Sequence, residues 1–550
     1  MNKKQIIIAL IAMSMGVFHV DQCAAQKSKV LPEPSTLSAK PVAVSSEEVV
    51  NAMANGITAS ELKEHLTILA SDEFEGRETG QPGQKKAAQF LADYYTSLGI
   101  EPIVNGSWFQ QYPLKKTSYM KSTANINSSK YAFVNDFYTF SSSEPEISFD
   151  EFVFVGYGIN EGAYNDYEKV DVKGKMVVCL LGEPINKKGI SAITGTESLS
   201  EWTMDYDMKR NMAAEMGAKG MILINMEYDD YINRIKYWLE QSPMRLDNPK
   251  RPKDEMGIPL FFVSPAMGNE ILKNNKKSCE KLEARLNKKG KPMSFSGKAT
   301  LRFHMERKEE KVTAENVLCF VEGSDPELKN EVVVISAHYD HIGIVNGQIN
   351  NGADDDGSGT VSVMELAQAF TDAKKSGFGA RRSVLFLNVS GEEKGLLGSE
   401  WYSDFPVFPL EQTVCDLNID MIGRMDDQHK DGNYVYLIGS DKLSTDLHSI
   451  SEKANATYTN LALDYTYNDP NDPNRFYYRS DHYNFAKHNI PVIFYFSGVH
   501  ADYHKPGDDT EKIMFDKMEK IVRLVFYTAW EVANRDERLK VDVHNDFQQD

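Results

Sequence analysis

Several polar clusters in this chain stand where apolar runs stop, and their residue types suit hydrolytic chemistry. VVVISAHYDHIG delivers His338, Asp340 and His341 after a run of branched aliphatic residues, and NNGADDDGSGT sets Asp354, Asp355 and Asp356 side by side ahead of an amphipathic stretch. SVLFLNVSGEEKG ends in the pair Glu392 and Glu393, VCDLNIDMIGR carries Asp420 inside an apolar frame, and PVIFYFSGVHADYHKPGDD supplies Tyr503, His504 and Asp508. Three adjacent carboxylates repel one another unless a cation neutralises them or a helix N-terminus accepts them, and capping accounts for one acid, not three. An unpaired charge at Asp420 would be costly in its apolar surroundings, so that segment also asks for a cation nearby. Taken singly, the clusters also read as capped strand ends or surface acid loops. Brought together, histidine and carboxylate ligands without a thiolate suit zinc in an open catalytic site, and one shared carboxylate suits two metal ions roughly 3.5 to 4 Å apart.

The elements that must position these residues follow from the apolar patterning. From Asn316 onward, strand-like runs alternate with amphipathic helices, which predicts an α/β fold with a mixed, mainly parallel central sheet covered by helices on both faces. In such sheets ligands bind beyond the carboxyl ends of the strands, where all the clusters would converge. Upstream, SELKEHLTILA predicts a helix over Ser60–Ala70 with Ser60 as its cap, and KKAAQFLADYYTSL predicts a second over Lys85–Leu98 that stops at Gly99. The loop SDEFEGRETGQPGQ joins them. Between Ser122 and Gly297 the texture shifts to β-branched and aromatic runs such as EFVFVGYGI, KMVVCLLGE and IPLFFVS, with a helix expected over Asp205–Gly217, and this predicts an α+β insert. The expected division is an address at 1–25, a leader at 26–55, the catalytic domain at 56–121 and 298–535, the insert at 122–297, and a polar tail at 536–550.

At 550 residues the chain is long enough for several domains at roughly 150 residues each, and its composition is that of a globular protein. Lys+Arg 61 against Asp+Glu 80 leaves a net charge of −19, a field that repels phosphate backbones and argues against nucleic acid as a partner. Lys3 and Lys4 precede an apolar run from Ile6 to Phe18 that is too short to span a bilayer, followed by Cys23, Ala24 and Ala25. This predicts a secretory signal cut near Ala25 and a secreted or periplasmic protein with no membrane span. A lipoprotein held through Cys23 is the lesser alternative, because Val20, Asp21 and Gln22 are poor residues ahead of a lipidated cysteine. The remaining cysteines, Cys179, Cys279, Cys319 and Cys415, are scattered and write no disulfide framework. Nothing in the sequence sets an oligomeric state or a side-chain preference.

The succession HYDH, GADDDGSG, GEEKGLLGS, NIDMIGR, RSDHYNF and YHKPGDDT resembles the M28 family of zinc metallopeptidases, whose secreted members are mostly aminopeptidases. The likeness covers roughly Ile57–Trp108 and Glu315–Ala533, since ASDEFEGRETGQPGQKKAA also resembles the family's N-terminal segment. DVKGKMVVCLLGEP and AAEMGAKGMILI are similar to phrases of a protease-associated (PA) domain, which the insert would then be. The resemblance implies two zinc ions per chain in a zinc-aminopeptidase, phosphorylase/hydrolase-like fold. Asp354 would bridge the ions, one also held by Glu393 and His504 and the other by His338 and Asp420. It implies Glu392 as general base, Asp340 orienting His338, Asp508 supporting His504, and Tyr503 or Arg479 steadying the carbonyl oxygen under attack. His341 and His482 would be supporting residues. The implied activity is release of N-terminal residues from peptides with a free N-terminus, through a metal-bridged hydroxide. The competing readings are a single-zinc glutaminyl cyclase and a non-catalytic binding ectodomain on the same scaffold.

Overall fold

Continuous valine, isoleucine and leucine runs can be buried only where helices cover both faces of a sheet, and that is how this chain uses them. A computed structural model describes residues 46–140, 144–250 and 257–544. The signal sequence expected at 1–25 lies outside the described residues. Nine strands form the first sheet: β1 (Phe109–Ser118), β2 (Met244–Leu246), β3 (Lys308–Val321), β4 (Val332–His338), β5 (Ser383–Val389), β6 (Thr413–Ile419), β7 (Tyr434–Ile438), β8 (Ala462–Asp464) and β9 (Val492–Phe496). Their order is β2-β1-β3-β5-β4-β6-β9-β7-β8. The four central strands, β5, β4, β6 and β9, run parallel. Antiparallel neighbours, β3 and β7, flank them.

Side chains alternate across each strand. Val333, Ile335 and Ala337 enter one core with the helices Ala59–Leu69, Pro82–Ser97, Gly359–Lys375 and Phe515–Asn534. Val332 and Val334 enter another with Tyr402 of helix Leu397–Asp404 and Phe485 of helix His482–Ala486. Because the central strands are parallel, their carboxyl ends share one edge: His338 lies opposite Val389, and Ile419 opposite Tyr495. The polar clusters that follow these strands are thereby gathered along a single rim.

The β-rich region builds a second sheet of eight strands with its own core, from Thr123–Ile126 to Ser294–His304. The expected boundary at Gly297 falls inside Ser294–His304, so the crossing back to β3 lies at residues 305–307. One piece of this region leaves it: β2 pairs antiparallel with β1 and extends the first sheet. The expected helix over Asp205–Gly217 is Tyr206–Glu215, with Asp205 as its cap. The four cysteines of the described residues are buried and free.

Four further expectations shift. The first core helix is capped by Thr58, whose Oγ1 accepts from Glu61 N at 3.2 Å, not by Ser60. Thr58 has the extended backbone that a cap requires, whereas Ser60 already lies in the helix. The second helix starts at Pro82, where a missing N–H is no loss in the first turn. Helix Ser46–Gly56, with Ala54 buried, occupies the second half of the expected leader. In the expected tail, Leu539 is buried and Asp542 accepts from Thr445 Oγ1 at 2.6 Å, so residues up to His544 include anchored positions.

Leu66, fully buried on helix Ala59–Leu69, reaches under the acidic loop: a Cβ placed on Gly357 would lie 2.6 Å from its Cδ1. Leu66→Ala is expected to lower stability by about 2–5 kcal/mol. Urea unfolding followed by fluorescence checks this, and an unchanged midpoint would refute the packing described.

Candidate active site

His338 closes β4 with its side chain 1% exposed. Its Nδ1 lies 3.1 Å from the main-chain oxygen of Asp340, so an N–H there donates to that oxygen and Nε2 is left facing the acids. From Nε2 it is 3.4 Å to Asp355 Oδ1, 3.7 Å to Asp420 Oδ2 and 3.9 Å to Glu392 Oε2. On the other side of Asp355, His504 Nε2 is 3.0 Å from Oδ2 and 3.3 Å from Glu393 Oε1. Asp355 thus turns one oxygen toward each histidine. Each of those histidines has a further carboxylate beside it, Asp420 or Glu393.

Asp354, the expected bridge, faces elsewhere. Its Oδ1 accepts from Gly423 N at 2.6 Å and its Oδ2 lies 3.3 Å from His500 Nε2, behind the cleft. The cause is the pinning of the acidic loop. Asp508 accepts from the main-chain N–H groups of Asp354 and Asp355 at 3.0 and 3.1 Å, which fixes the direction of the chain there. Asp356 then accepts from Gly359 N at 2.7 Å and from Met421 N at 3.2 Å, at the start of helix Gly359–Lys375. The three aspartates point three ways, and the middle one enters the cleft. A run of identical acids does not reveal which one that will be.

Two supporting roles also move. Asp340 was expected to orient His338 through its side chain, but its main-chain oxygen is the nearer acceptor. Its carboxylate lies 3.7 Å from His338 Nδ1, accepts from Thr79 Oγ1 at 2.6 Å and from Glu392 N at 3.3 Å. Asp508, expected behind His504, holds the acidic loop instead. Asp420 accepts from Ser480 Oγ at 2.7 Å. Tyr503 stacks on His504 with ring centres 3.9 Å apart, and the Arg479 guanidinium lies 4.9 Å over the Phe476 ring. Both border the cleft together with Met421, Phe494, Phe496 and Val499. His341 comes closer than a supporting role requires: it is fully buried and its Nδ1 lies 2.8 Å from Glu393 Oε1. Buried His482 packs on Phe494.

The charges in the cleft pull the titrations apart. Burial raises Glu392 well above the usual carboxylate range, and Glu393, Asp481 and Asp420 reinforce that against the opposing His338. Burial by itself would also raise Glu393, but His504 and the hydrogen bonds of His341 and His504 outweigh it and bring it down to about 2. Burial works against the charged form of His504, yet Glu393 and Asp355 push it up to about 11. Burial keeps the Tyr503 phenol protonated, with Asp355 and Glu393 adding to the effect. The Glu392 side chain is 12% exposed, enough to meet a substrate.

Asp355 Oδ2 and Glu393 Oε1 are buried without a well-directed hydrogen bond. Donor atoms of His338, Glu392 and Asp420 form one group that could hold an ion, and those of His341, Asp355 and Glu393 form another. Imidazole nitrogens and carboxylate oxygens with no thiolate fit zinc. The donor set therefore fits the metal that the sequence motifs imply.

Comparison with known proteins finds similar chains. A protein named "Probable leucine aminopeptidase" from Arthroderma otae is 32% identical over 218 residues, 38% of this chain and 56% of that protein. "Leucine aminopeptidase 2" from the same species is 30% identical over 208 residues, 37% of this chain and 38% of that protein. The chain thus matches about half the length of these relatives, or less. The solved aminopeptidase from Aneurinibacillus sp. strain AM-1 aligns with a TM-score of 0.54 at 19% identity, covering 90% of this chain and 98% of that one, a likeness of fold. The model of peptidase family M28 matches residues 316–529, the segment that holds every candidate ligand.

Proposed function

We propose that the chain is an exported zinc-dependent aminopeptidase that releases N-terminal residues bearing apolar side chains. The observation that carries this reading is the placement of Asp355, one oxygen toward His338 and the other toward His504, with Glu392 beside them. His338, Asp420 and Asp355 would hold one ion, and Asp355, Glu393 and His504 a second. Two zinc ions bound there would lower the pKa of a water molecule and polarise the scissile carbonyl.

The chain's own residues supply the rest. Glu392, buried enough to bind a proton readily and exposed enough to meet the substrate, takes a proton from the attacking water and returns it to the leaving amine. Its main chain is held through Glu392 N to Asp340, which is itself held by Thr79. The Tyr503 phenol, kept protonated, can donate a hydrogen bond to the carbonyl oxygen as negative charge develops. Arg479, stacked on Phe476, supplies positive charge at the rim. The acids of the cleft favour a protonated α-amino group, and Met421, Phe476, Phe494, Phe496 and Val499 offer an apolar wall for the first side chain. The second sheet is read as the PA-like insert, and residues 1–25 as the export signal of the chain. Among the described residues, no helix is long and apolar enough to cross a membrane.

Metal analysis tests the ligand set directly. Asp355→Asn should lose bound zinc, whereas Asp354→Asn should retain it, and the reverse pattern would restore Asp354 as the bridge. Glu392→Gln is expected to keep the metal and lose roughly 10² to 10⁴ in rate, as for removal of a general base. Full activity in that variant would take Glu392 out of the mechanism. A leucyl anilide should be hydrolysed far faster than either its N-acetylated form or the corresponding aspartyl anilide. Equal rates on the free and blocked leucyl substrates would exclude an aminopeptidase.

A further inference from the structure

The motif EGRET in the loop after the first core helix touches the segments that carry the site, and its arginine has no part in the chemistry above. Arg77 is fully buried. Its guanidinium meets main-chain oxygens, not carboxylates: Nε donates to Tyr339 O at 2.8 Å, Nη1 to Asn351 O at 2.6 Å and Leu69 O at 3.3 Å, and Nη2 to Gly352 O at 2.8 Å. Tyr339 directly follows His338. Asn351 and Gly352 lead into the acidic loop that presents Asp355. The fork therefore ties together the two main-chain segments that carry His338 and Asp355.

The rest of the loop repeats the pattern. The main-chain oxygen of Arg77 accepts from His341 N at 3.2 Å, and that of Gly76 from Gly343 N at 3.0 Å. Thr79 bonds Asp340, and Glu78 pairs with Lys394 at 3.0 Å, next to Glu393. Gly76, at φ 66°, is seated so closely that a Cβ there would lie 2.3 Å from Asn350 O. A planar guanidinium presents donors in a rigid fork, whereas a lysine ammonium is a single point charge on a flexible stem and is not a geometric substitute.

We propose that Arg77 is a positioning residue that sets the spacing of the His338 and Asp355 segments and so determines how tightly the site holds metal. This rests on the reading that His338, Asp355, Glu393, Asp420 and His504 bind metal. Arg77 touches neither substrate nor ion, so it acts through those ligands. Groups that orient ligands in this way typically contribute 10- to 100-fold to metal affinity.

The test uses the full chain and two variants, Arg77→Lys and Arg77→Gln. Zinc affinity is measured by chelator competition, coordination by the visible absorption of the cobalt(II)-loaded protein, and folding by far-ultraviolet circular dichroism. Both variants are expected to keep the wild-type dichroism, to bind zinc roughly 10- to 100-fold more weakly and to show an altered cobalt spectrum. Excess zinc should restore part of kcat. Wild-type affinity and cobalt spectrum in a folded variant would overturn the proposal. Loss of the wild-type dichroism in both variants would also overturn it, by making Arg77 a folding residue. A wild-type chain that takes up no metal would instead defeat the metal-site reading on which it rests.

Discussion

The structure is organised around the burial of negative charge. Carboxylates withdrawn from water must be matched by hydrogen bonds or by cations, because the cost of leaving them unmatched exceeds what ordinary packing returns. The acids at the carboxyl edge of the first sheet divide on this point. Asp340, Asp354, Asp356 and Asp508 accept from main-chain N–H groups, and Asp340 from Thr79 as well. Asp355, Glu392, Glu393 and Asp420 face one another and the imidazoles of His338 and His504 across the cleft. The first set is matched by hydrogen bonds from the fold, and the second remains grouped around the histidines of the cleft.

The parallel strands at the centre of the sheet set up that division. Parallel pairing brings the ends of β4, β5, β6 and β9 to one edge, so residues far apart in sequence arrive within a few ångströms of one another without long loops. It also places the apolar ends of β9 and its neighbours, Phe494 and Phe496, beside the acids. The cleft thus brings acids and aromatic rings together. The partial exposure of Glu392 fits the same arrangement: full burial would trap the proton, and full exposure would let water return the carboxyl to its ordinary range.

Much of this was legible in the sequence, and the parts that were not share a cause. Polar clusters near the ends of apolar runs marked the region, the family resemblance implied His338, Glu392, Glu393, Asp420 and His504 within it, and parallel-strand topology turns that pattern into proximity. Asp355 was missed because choosing among three adjacent aspartates depends on main-chain direction, which Asp508 sets from more than a hundred residues away. Asp340 was found but given the wrong contact, since whether its carboxylate or its main-chain oxygen meets His338 depends on a turn that residue types do not encode. The helix cap moved from Ser60 to Thr58 for a similar reason, because both residues can accept and only φ and ψ distinguish them. The paired strands β1 and β2 join distant parts of the chain, and a three-residue strand carries no periodicity to read.

The same reasoning explains why the loop at Arg77 is central in structure. Orienting ligands by hydrogen bonds to carboxylates would add charge-paired groups to a cleft that must remain attractive to cations. Orienting them through main-chain oxygens avoids this: the guanidinium satisfies acceptors at Tyr339, Asn351 and Gly352 and leaves the side chains of His338 and Asp355 free to face the cleft. Its positive charge also lies near Asp355, Asp356, Asp508 and Asp340, where it offsets repulsion without occupying any ligand oxygen. A buried cation that bonds only to carbonyls can therefore hold an acidic site together while leaving its acids available to metal.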